Sequence, residues 1–526
     1  MKTESTVPLA PNVTVSLLTR LIDRVDVPRG RSGRPIVAPF TQTTFATVPD
    51  AEPDDVSAAA TRAREAQALW AATPVSERLG VFSKFHDLLV DNADVALDLV
   101  QLEAGKARVP AAEEVYDTVA TTHYYLKTAR SLLRRRRRAV SFPGFTTAYE
   151  YRKPVGVVGS ISPWNFPFTL AISDIVPALI AGNAVVSKPD EKTPFSLLFG
   201  AELLAQAGLP PGVLQVVTGP GEKLGERLID DVDFVMFTGS TEVGRLVGER
   251  AGRRLIRSSM ELGGKNAAIV LDDADLTKTV PGISRAVFAN GGQLCIAMER
   301  IYVDEKIREE FTTRFVEHTR NLRITADYDF SSAMSAMITP EHVERVHTHV
   351  EDAVDNGATL LTGGKPRPDI GPTFYEPTVL TDVDEAMDLC RTETFGPVVS
   401  IYGVSGPEEA IAHANDSDFG LNHSVWGRDV KRAMAVAEQL MAGTVGVNDG
   451  YAAVWSSYGA PMGGMKASGH GRRHGSEGLL KYTEAQSIAI QRIGPAFAPP
   501  GDMSYPTYHS ILGPALKLLK RIPFYK

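Results

Sequence analysis

The spacing of hydrophobic residues changes several times along this chain, and each change predicts a different kind of structure. Residues 1–50 are rich in Pro, Thr and Val without a clear period, which predicts an arm with one or two short strands. From residue 54 to about 133 the spacing becomes helical, through an Ala-rich stretch at 58–72, and Gly105 is a candidate helix stop. We therefore expect several packed helices before the first sheet.

Short apolar segments then alternate with amphipathic ones, beginning with the strand-like stretch TAYEYRKPVGVVGSISP. Further strands are predicted in NAVVSKP, VLQVVTG and DFVMFTGS, and helices in TPFSLLFGAELLAQAG, KLGERLI and TEVGRLVGER. Thr193 is the expected N-cap of the first of these helices and Pro194 its first residue. A second alternation runs from about 274 to 447. This pattern is typical of parallel, doubly wound α/β sheets, which bind ligands beyond the carboxyl ends of their strands.

Two strand-like segments, at 149–158 and 482–492, have no obvious partner nearby in sequence. Because open strand edges usually find a partner, we expect both to join a shared extension or an interface. The five consecutive arginines at 134–138 favour a solvated helix end. A nuclear-import or nucleic-acid patch is the alternative interpretation of these arginines, and the charge of the whole chain opposes it.

The composition indicates a folded protein of enzyme size. Of 526 residues, 43% are apolar and 22% charged, which excludes a disordered or collagen-like chain and allows roughly two to four domains. The 55 Lys and Arg against 63 Asp and Glu leave a net charge of −8, which opposes binding to nucleic acid. The chain has only two cysteines, and it shows neither a leader-like N-terminus nor a long apolar run. These features favour a cytoplasmic protein without a membrane segment.

Cys295 is the strongest chemical candidate. It follows a Gly-Gly-Gln turn in FANGGQLCIAMER, where the glycines would let the backbone approach a substrate closely. A lone Cys is more often a buried apolar residue, but this setting favours a nucleophile. HExxH, GxSxG and P-loop signatures are absent, so the corresponding zinc-protease, hydrolase and nucleotidase functions are disfavoured and no metal is expected.

A thiolate that attacks a carbonyl needs oxyanion donors and, for hydrolysis, a base. The backbone N–H of Cys295 and the side-chain amide of Asn165, in SPWNFP, are candidate donors, although Asn165 is equally suited to a simple turn. Glu261 precedes two glycines in MELGGKN and is the candidate base. A surface carboxylate at a turn is the alternative interpretation of Glu261.

A second group of residues is typical of a phosphate site. In DFVMFTGSTEVGRLVG, the residues Gly239, Ser240 and Gly244 lie at a strand-to-helix turn, where free N–H groups and the helix dipole favour a pyrophosphate. Lys188 follows a strand and could donate to ribose or phosphate oxygens, although a solvated Lys is the commoner outcome. The segment GPGEKLG is one residue too long for a dinucleotide fingerprint and is interpreted as a decoy or an accessory wall.

Seven motifs occur in the order and spacing of the aldehyde dehydrogenase superfamily, which the chain resembles from about 55 to 495. These motifs are SPWNFP, VVSKPDEKTP, FTGSTEVG, MELGGKN, GGQLCIAMER, ETFGPVVS and NDSDFGLNHSVW. The resemblance implies a small-molecule aldehyde substrate, a homodimer or homotetramer, and an α/β fold of three parts and a tail. They are a Rossmann-like NAD(P)-binding domain (1–140 and 157–262), an α/β catalytic domain (263–470), a β-strand oligomerisation extension (141–156 and 478–495) and a C-terminal tail (496–526).

The same resemblance implies roles for individual residues. Cys295 would be the nucleophile, Glu261 the base that activates the deacylating water, and Asn165, with the Cys295 N–H, the oxyanion hole. The implied cofactor-binding residues are Trp164, Lys188, Glu191, Gly239, Ser240, Gly244, Leu262 and Glu393. The implied reaction is thiolate addition to the aldehyde, hydride transfer to nicotinamide, and hydrolysis of the thioester to a carboxylic acid.

Two glutamates bear on the choice of cofactor and acceptor. A carboxylate at Glu191 would accept from both ribose hydroxyls of NAD but repel the 2′-phosphate of NADP. We therefore expect the protein to use both cofactors, with activity on NAD no lower than activity on NADP, although closer relatives often use NADP. Glu261 favours hydrolysis over transfer to coenzyme A, because acyl-transferring relatives generally lack that base. Two alternative functions are also retained: a thiol-dependent esterase that uses Cys295, and a non-catalytic member of the fold.

Within the superfamily, QLEAGKAR, FYEPTVLTDV, GKPRPDIGP and MGGMKASGHGRRHGSEG resemble the actinobacterial succinate-semialdehyde dehydrogenase type 2 group. That group implies oxidation of succinate semialdehyde to succinate. Other succinate-semialdehyde dehydrogenases carry an Arg on the helix after WNFP, where this chain has Ser173 and Asp174. If the substrate is nevertheless a carboxylate, Arg472 and Arg473 are the next candidates to bind it.

A long-chain or aromatic aldehyde is the serious alternative substrate. Phe168, Trp455 and Tyr458 would suit an apolar tunnel for such a molecule. The terminal segment SILGPALKLLKRIPFYK mixes apolar and basic residues, which favours docking on a neighbouring subunit, with a membrane surface as the alternative. Pro514 and Pro523 are expected to prevent one continuous helix there.

Overall fold

The computed structural model of the chain describes residues 9–140, 145–492, 498–499 and 501–520. Its α-helices are α1 (Val15–Ile22), α2 (Pro53–Ala72), α3 (Val75–Asp91), α4 (Ala93–Ala104), α5 (Arg108–Leu133), α6 (Thr169–Ile180), α7 (Pro194–Ala207), α8 (Gly221–Asp231), α9 (Thr241–Arg253), α10 (Leu276–Phe288), α11 (Arg308–Arg320), α12 (Pro340–Asp355), α13 (Asp388–Arg391), α14 (Pro407–Asn415), α15 (Val430–Ala437), α16 (Ala452–Trp455), α17 (Gly475–Leu480) and α18 (Tyr505–Leu519).

Its strands are β1 (Gly33–Ala38), β2 (Thr43–Pro49), β3 (Arg136–Arg138), β4 (Thr146–Pro154), β5 (Val157–Ile161), β6 (Ala184–Lys188), β7 (Leu214–Val216), β8 (Phe234–Thr238), β9 (Arg257–Glu261), β10 (Asn266–Val270), β11 (Met298–Asp304), β12 (Thr359–Thr362), β13 (Thr378–Thr381), β14 (Val398–Val404), β15 (Phe419–Gly420), β16 (Asn422–Trp426), β17 (Thr444–Val447), β18 (Met465–Lys466), β19 (Gly469–His470) and β20 (Thr483–Gln491). A 3₁₀ turn spans Ala289–Gly292.

Two largely parallel sheets organise the molecule, as the alternation of strands and helices predicts. The first has the order β19-β9-β8-β5-β6-β7, and only its short edge strand β19 is antiparallel. The second has the order β12-β13-β14-β11-β10-β16-β17, with β12 the antiparallel edge. The fold class is therefore α/β, with a Rossmann-like sheet and a second sheet domain.

Alternate residues of the central strands face different helical layers. In β6, Val185 joins the hydrophobic cluster that contains α6 and α7, whereas Ala184 and Val186 join the cluster that contains α2 and α8. All five residues of this strand are buried. A parallel strand covered by helices on both faces must be apolar on both faces, which is why its sequence shows no polar alternation.

Buried carboxylates from α4 and α5 hold the N-termini of two later helices. Glu103 accepts from Phe195 N and Ser196 N, both at 2.7 Å, at the start of α7. Glu114 accepts from Phe168 N and Thr169 N at the start of α6. Thr193 is the N-cap residue of α7 and Pro194 its first residue, both as expected. The Thr193 side chain makes no capping bond, however, because the distant Glu103 carboxylate occupies those N–H groups.

A separate sheet of three strands has the order β20-β4-β3. The two strands predicted without a local partner pair with each other here: β4 and β20 are antiparallel, with Thr146 opposite Gln491 and Pro154 opposite Thr483. The prediction of a solvated helix end at 134–138 is confirmed for Arg134, the exposed C-cap of α5, but is wrong for Arg136–Arg138, which form β3. Pairing with β4, where Arg138 bonds Glu150, stabilises the extended backbone.

The two ends of the chain differ from expectation in helix content. The arm contains the predicted strands, β1 and β2, but also α1, whose Leu17, Leu18 and Leu21 are buried. At the other end α18 runs without a break through Pro514, so the expectation for that residue is wrong, because a helix can lose one N–H and continue. Pro523 lies outside the described residues. None of the described helices is long and apolar enough to span a membrane.

Candidate active site

The backbone before Cys295 makes a tight turn that glycines permit. Helix α10 ends at Phe288, and in the 3₁₀ turn that follows Asn290 and Gly291 have left-handed φ values of 52° and 65°. A Cβ atom at Gly292, where φ is 71°, would lie 1.9 Å from the carbonyl oxygen of Gly396. Only glycine fits there, and the turn delivers a partly buried Cys295 to the site.

Side-chain amides fix the chain on both sides of the cysteine. Asn266 Nδ2 donates to the carbonyl oxygens of Cys295 and Ala297, at 2.8 and 2.7 Å. Asn422 Nδ2 donates to the Ile296 carbonyl at 3.1 Å, and the Asn422 N–H donates to Asn266 Oδ1. Neither asparagine was predicted from the sequence. The signal for Asn266 was present, because it is the polar first residue of an otherwise apolar strand.

Asn165 meets the cysteine segment from the other sheet. Its side-chain Nδ2 donates to the carbonyl oxygen of Gln293 at 3.0 Å, and Asn290 Nδ2 donates to the Asn165 carbonyl. An amide has two N–H donors, so one donor of Asn165 is left for another acceptor. The structure thus brings Asn165 next to the Cys295 turn, where it can bind an oxyanion.

Glu261 ends β9 in a buried position, 6% exposed. Burial raises its pKa to about 7, and the charges of Arg473 and Lys481 oppose that rise. The two glycines that follow are required by close packing: a Cβ at Gly263 would lie 2.3 Å from Glu393 Oε2, and one at Gly264 would lie 2.9 Å from the Cys295 carbonyl. The glycines of MELGGKN therefore let the segment after Glu261 pack directly against Glu393 and the Cys295 backbone.

The ionisation of the thiol differs from that of the glutamate. Burial raises the pKa of Cys295 to about 12, while Arg473 lowers it and the carboxylates of Glu393 and Glu261 raise it further. At neutral pH the thiol therefore keeps its proton. A nucleophilic thiolate requires a base, and a glutamate with a pKa near 7 is suited to that task.

Glu393 lies on the other side of the same glycines. Its Oε1 accepts from Gly264 N at 2.8 Å, and burial raises its pKa to about 8. The segment around it is fixed by Glu299, which accepts from Thr394 N and Phe395 N and pairs with Lys265 Nζ at 2.5 Å. This buried Lys–Glu pair was not predicted from the sequence, because its members are 34 residues apart.

Most predicted cofactor residues lie at the carboxyl ends of the strands of the first sheet. Trp164 follows β5, Lys188 ends β6, and Gly239 and Ser240 follow β8. Ser240 is the N-cap of α9, where it accepts from Val243 N at 3.3 Å. Gly244, in the first turn of α9, leaves room for Leu262, since a Cβ there would lie 2.4 Å from Leu262 Cδ2. One cleft thus collects residues from three strand ends.

The residues of this cleft fit a dinucleotide. The N-terminus of the 13-residue helix α9 points at its edge, a favourable place for a pyrophosphate. Lys188 is 4% exposed, its Nζ donates only to the Pro189 carbonyl among described residues, and burial lowers its pKa. A Cβ at Gly221 would lie 4.0 Å from that ammonium, so the GPGEKLG segment is a wall of this cleft. Glu191 is partly exposed nearby.

The indole of Trp164 meets His342 and Phe395 edge to face, with ring centroids 5.5 Å apart in both pairs. Burial lowers the pKa of His342 to about 4, so this imidazole is neutral. The three rings connect the loop after β5 to the Glu393 segment.

A cavity of about 310 Å³ opens beside Leu294 and Ile296, the neighbours of the cysteine. Its aromatic lining includes Phe166, Tyr451, Trp455 and Tyr458. Trp455 and Tyr458 were predicted here, but the prediction of Phe168 is wrong. Because Phe168 directly precedes α6, its side chain is fully buried in the helical core, and Phe166 takes its place.

Charged residues also line this cavity. Among the described lining residues Arg285 is the one cation, and it pairs with Glu113. The hydroxyl of Tyr451 donates to the same carboxylate at 3.0 Å. Asp117 accepts from Tyr458 OH at 2.9 Å, and burial raises the pKa of Asp117 to about 6. The cavity can therefore take an apolar chain with one polar end.

Arg472 and Arg473, the arginines considered for a substrate carboxylate, do not line the cavity beside the cysteine. Arg473 pairs instead with Asp174 at 2.9 Å, and Arg472 donates to backbone carbonyls. Within the described residues no cluster of His, Cys, Asp or Glu has the arrangement of a metal site.

Comparisons with known proteins agree with this geometry. A model of the Aldehyde dehydrogenase family matches residues 27–488. A Mycolicibacterium smegmatis protein, provisionally named succinate-semialdehyde dehydrogenase (NADP+), is 48% identical over 493 residues, covering 94% of this chain and 95% of its own. A Mycobacterium tuberculosis protein, provisionally named succinate-semialdehyde dehydrogenase (NADP+) 2, is 46% identical over 98% of this chain and 99% of its own.

Solved structures give the same result. An NADP-dependent enzyme from Escherichia coli is 33% identical, with a TM-score of 0.83 over 88% of this chain and 95% of its own. Betaine aldehyde dehydrogenase from Staphylococcus aureus in complex with NAD+ is 29% identical, with a TM-score of 0.84 over 92% of this chain and 100% of its own.

Proposed function

The chain belongs to the aldehyde dehydrogenase family, and we propose that it oxidises succinate semialdehyde to succinate with NAD or NADP. The observation that carries the proposal is the convergence of Cys295, Asn165 and Glu261 beside a cleft that fits a dinucleotide. The provisional names of the mycobacterial relatives support the substrate.

In the proposed reaction Glu261 assists removal of the proton from the Cys295 thiol, and the thiolate adds to the aldehyde carbon. The free donor of Asn165 and the Cys295 N–H bind the resulting oxyanion. The cleft would hold a nicotinamide that supplies the hydride acceptor, and loss of the hydride would leave a thioester on Cys295. Glu261 then takes a proton from the water that hydrolyses the thioester, and the acid is released.

Several residues of the cleft would hold the cofactor. Lys188 and Glu191 would bind the adenosine ribose. The pyrophosphate would bind at Gly239, Ser240 and Gly244. Glu393 would bind the nicotinamide ribose. Trp164 and Leu262 would border it. The carboxylate of Glu191 supports use of NAD, whereas the names of the relatives support NADP. We therefore retain the expectation that both are used, with NAD no worse.

The remote carboxylate of the substrate would bind Arg285, the cation among the described residues that line the cavity. Asp174, which the sequence placed near the substrate, does not oppose an anion there, since its charge is neutralised by Arg473 and Lys481. A second candidate function is oxidation of a long-chain or aromatic aldehyde. The aromatic cavity wall of Phe166, Tyr451 and Trp455 favours it.

The test is kcat/KM for succinate semialdehyde, propanal, decanal and benzaldehyde, each with NAD and NADP at about pH 8. We expect succinate semialdehyde to exceed each other aldehyde by about tenfold or more. A higher value for decanal or benzaldehyde would establish the second function. A kcat/KM with NADP about tenfold higher than with NAD would refute the role of Glu191.

A variant tests how the substrate is recognised. Arg285→Met should raise KM for succinate semialdehyde by about tenfold or more, because a charge-assisted bond is lost. Propanal, which has no carboxylate, should react as before. Equal changes in KM for both aldehydes would show that Arg285 does not bind the substrate carboxylate.

We further infer a cytoplasmic homodimer or homotetramer. The two free cysteines support a reducing compartment. The three-stranded sheet supports assembly, since its edge strand β20 exposes Ile488 and Ile490.

A further inference from the structure

A cluster of buried ionisable side chains lies behind Glu261. Arg473 Nη2 is 2.9 Å from Asp174 Oδ2, and Lys481 Nζ is 3.7 Å from Asp174 Oδ1. The exposed fractions of these side chains are 9% for Arg473, 10% for Lys481 and 6% for Asp174. Arg473 also donates to the Thr238 hydroxyl at the end of β8. The reaction proposed above gives none of these groups a role.

The backbone brings this cluster against the glutamate. Arg473 exchanges two backbone hydrogen bonds with Met462, at 2.6 and 2.9 Å. The next residue, Gly463, lies so close to the base that a Cβ there would be 3.0 Å from Glu261 Oε1. Strand β19, just before Arg473, pairs with the end of β9, where Gly469 lies opposite Glu261. Arg473 is therefore held in place by the same backbone that covers Glu261.

Glu261 Oε1 and Arg473 Nε are buried, and neither has a hydrogen-bond partner within the described part of the chain. A buried polar atom without a partner is costly, so such atoms are rare outside sites that bind water or ligand. Glu261 is consequently free to accept a proton, while its surroundings determine whether it is charged.

The charges balance in one protonation state only. Among the buried groups two cations, Arg473 and Lys481, face two carboxylates, Asp174 and Glu261, so these groups are neutral together when Glu261 is ionised. Arg472 also acts on Glu261, but it is partly exposed and its charge is screened by solvent. In a buried setting a net charge is strongly disfavoured. Protonation of Glu261 would leave one uncompensated positive charge.

We propose that Arg473 and Asp174 are positioning residues for the base: Arg473 holds Glu261 as a carboxylate ready to accept a proton, and Asp174 limits that effect. The inference rests on the proposed role of Glu261. It assigns the pair a function in catalysis, beyond joining α6 to the segment before α17.

Other charged and titratable groups face Glu261 from each element packed against it. They are Asp174 from α6, Arg472 and Arg473 from the segment after β19, Lys481 and Tyr482 from the segment after α17, and Cys295 from the turn after α10. His474 lies beside Arg473, and burial lowers its pKa to about 3, so it adds no charge near neutral pH. Arg473 and Asp174 form the shorter of the two ion pairs in the cluster, and removing one or the other changes the charge in opposite directions.

The sign of each effect follows from this arrangement. The pKa of Glu261 is raised to about 7 by burial, with Arg473 as the largest opposing influence and Asp174 adding to the rise. Thioester hydrolysis needs the carboxylate, so its rate should increase as pH rises through about 7. Loss of Arg473 should move this midpoint to higher pH, and loss of the Asp174 charge should move it to lower pH.

The experiment is the pH profile, from about pH 5 to 9, of steady-state NADH formation after the first turnover, with succinate semialdehyde and NAD. Arg473→Met should raise the midpoint by about one pH unit and Asp174→Asn should lower it by a similar amount. Arg473→Lys should lie close to wild type. The double variant D174N/R473M restores neutrality and should return the midpoint towards wild type.

A purely structural role would give a different result. Loss of packing lowers kcat at every pH, with thermal midpoints falling in proportion, and leaves the pH midpoint in place. If Asp174→Asn and Arg473→Met both reproduce the wild-type midpoint, or if Asp174→Asn moves it to higher pH, the inference is wrong. If Arg473→Met does not fold, the pH profile of Asp174→Asn alone still tests the inference.

Glu261→Gln separates this failure from failure of the proposed function. We expect that variant to form NADH in one burst and to lose the ionisation near pH 7. Full turnover with an unchanged profile in Glu261→Gln would refute the role of the base itself. A lost profile in Glu261→Gln together with unmoved midpoints in the Asp174 and Arg473 variants would refute only the inference.

Discussion

Cys295 is partly buried and Glu261 is buried, and burial raises both pKa values with different consequences for their charge. It raises the thiol pKa to about 12 and the carboxyl pKa to about 7. At about pH 8 the first group is protonated and the second is mostly ionised. The residues therefore stand as proton donor and acceptor, which is the arrangement that nucleophilic attack by a thiol requires.

Removal of each group should stop the reaction at a different point. Cys295→Ser should abolish both dehydrogenase and esterase turnover, because both need the thiolate. Glu261→Gln should still acylate once, more slowly than wild type because only solvent then accepts the thiol proton, giving a burst of about one NADH per subunit, and should then hydrolyse about 100-fold more slowly. Stopped-flow measurement of NADH absorbance resolves both phases. A full steady-state rate in Glu261→Gln would mean that another group is the base.

At the scale of elements, buried polar side chains fix helices and turns that are distant in sequence. Glu114 holds the start of α6, and it forms an ion pair with Lys106 at 2.7 Å in which both side chains are fully buried. Lys106 also lies 3.1 Å from the ring centroid of Phe166, in the cavity wall. The position of α6 and the shape of the cavity thus depend on one buried pair.

Two adjacent glutamates provide a direct comparison. Glu114→Ala should lower the free energy of unfolding by about 3–5 kcal/mol, because it leaves the Lys106 ammonium buried without a counter-charge. Glu113→Ala removes a carboxylate whose ion-pair partner, Arg285, is half exposed, together with one hydrogen bond from Tyr451, and should cost less, about 1–2 kcal/mol. Urea unfolding followed by circular dichroism measures both. Equal losses would show that the buried pair is not the source of the difference.

At the scale of the whole molecule, three sheets have different roles. The two parallel sheets supply the cofactor cleft and the cysteine turn, and Asn165 and Gln293 join them. The third sheet has an edge strand, β20, whose residues after Thr483 are exposed. The division into domains at 1–140 with 157–262, 263–470, and 141–156 with 478–495 stays a prediction, as does assembly through the third sheet.

Assembly through β20 can be tested by charge. The double variant I488K/I490K should reduce the molar mass measured by light scattering to that of a smaller species, because lysines on an open strand oppose edge-to-edge contact. Ala489→Lys places one lysine on the opposite face of the strand and should leave the mass unchanged. An unchanged mass in both variants would place the interface elsewhere.

The sequence by itself determined the α/β class, the helix stop at Gly105, and the positions of the chemical residues at strand ends and turns. These features depend on neighbours a few residues away, where backbone sterics and apolar spacing act. Cys295, Asn165 and Glu261 could be identified because glycine and proline mark the turns that carry them.

Only the tertiary structure decided which polar groups are buried together. Thr193 occupies the N-cap position of α7 as predicted, but the N–H groups of the first turn bind Glu103, which lies 92 residues before Phe195. Asp174 and Arg473 form one ion pair although they are far apart in the sequence. Phe166 rather than Phe168 lines the cavity. A buried charge is stable only with its partner, and the partner is selected by the packing of distant elements, which no local pattern records.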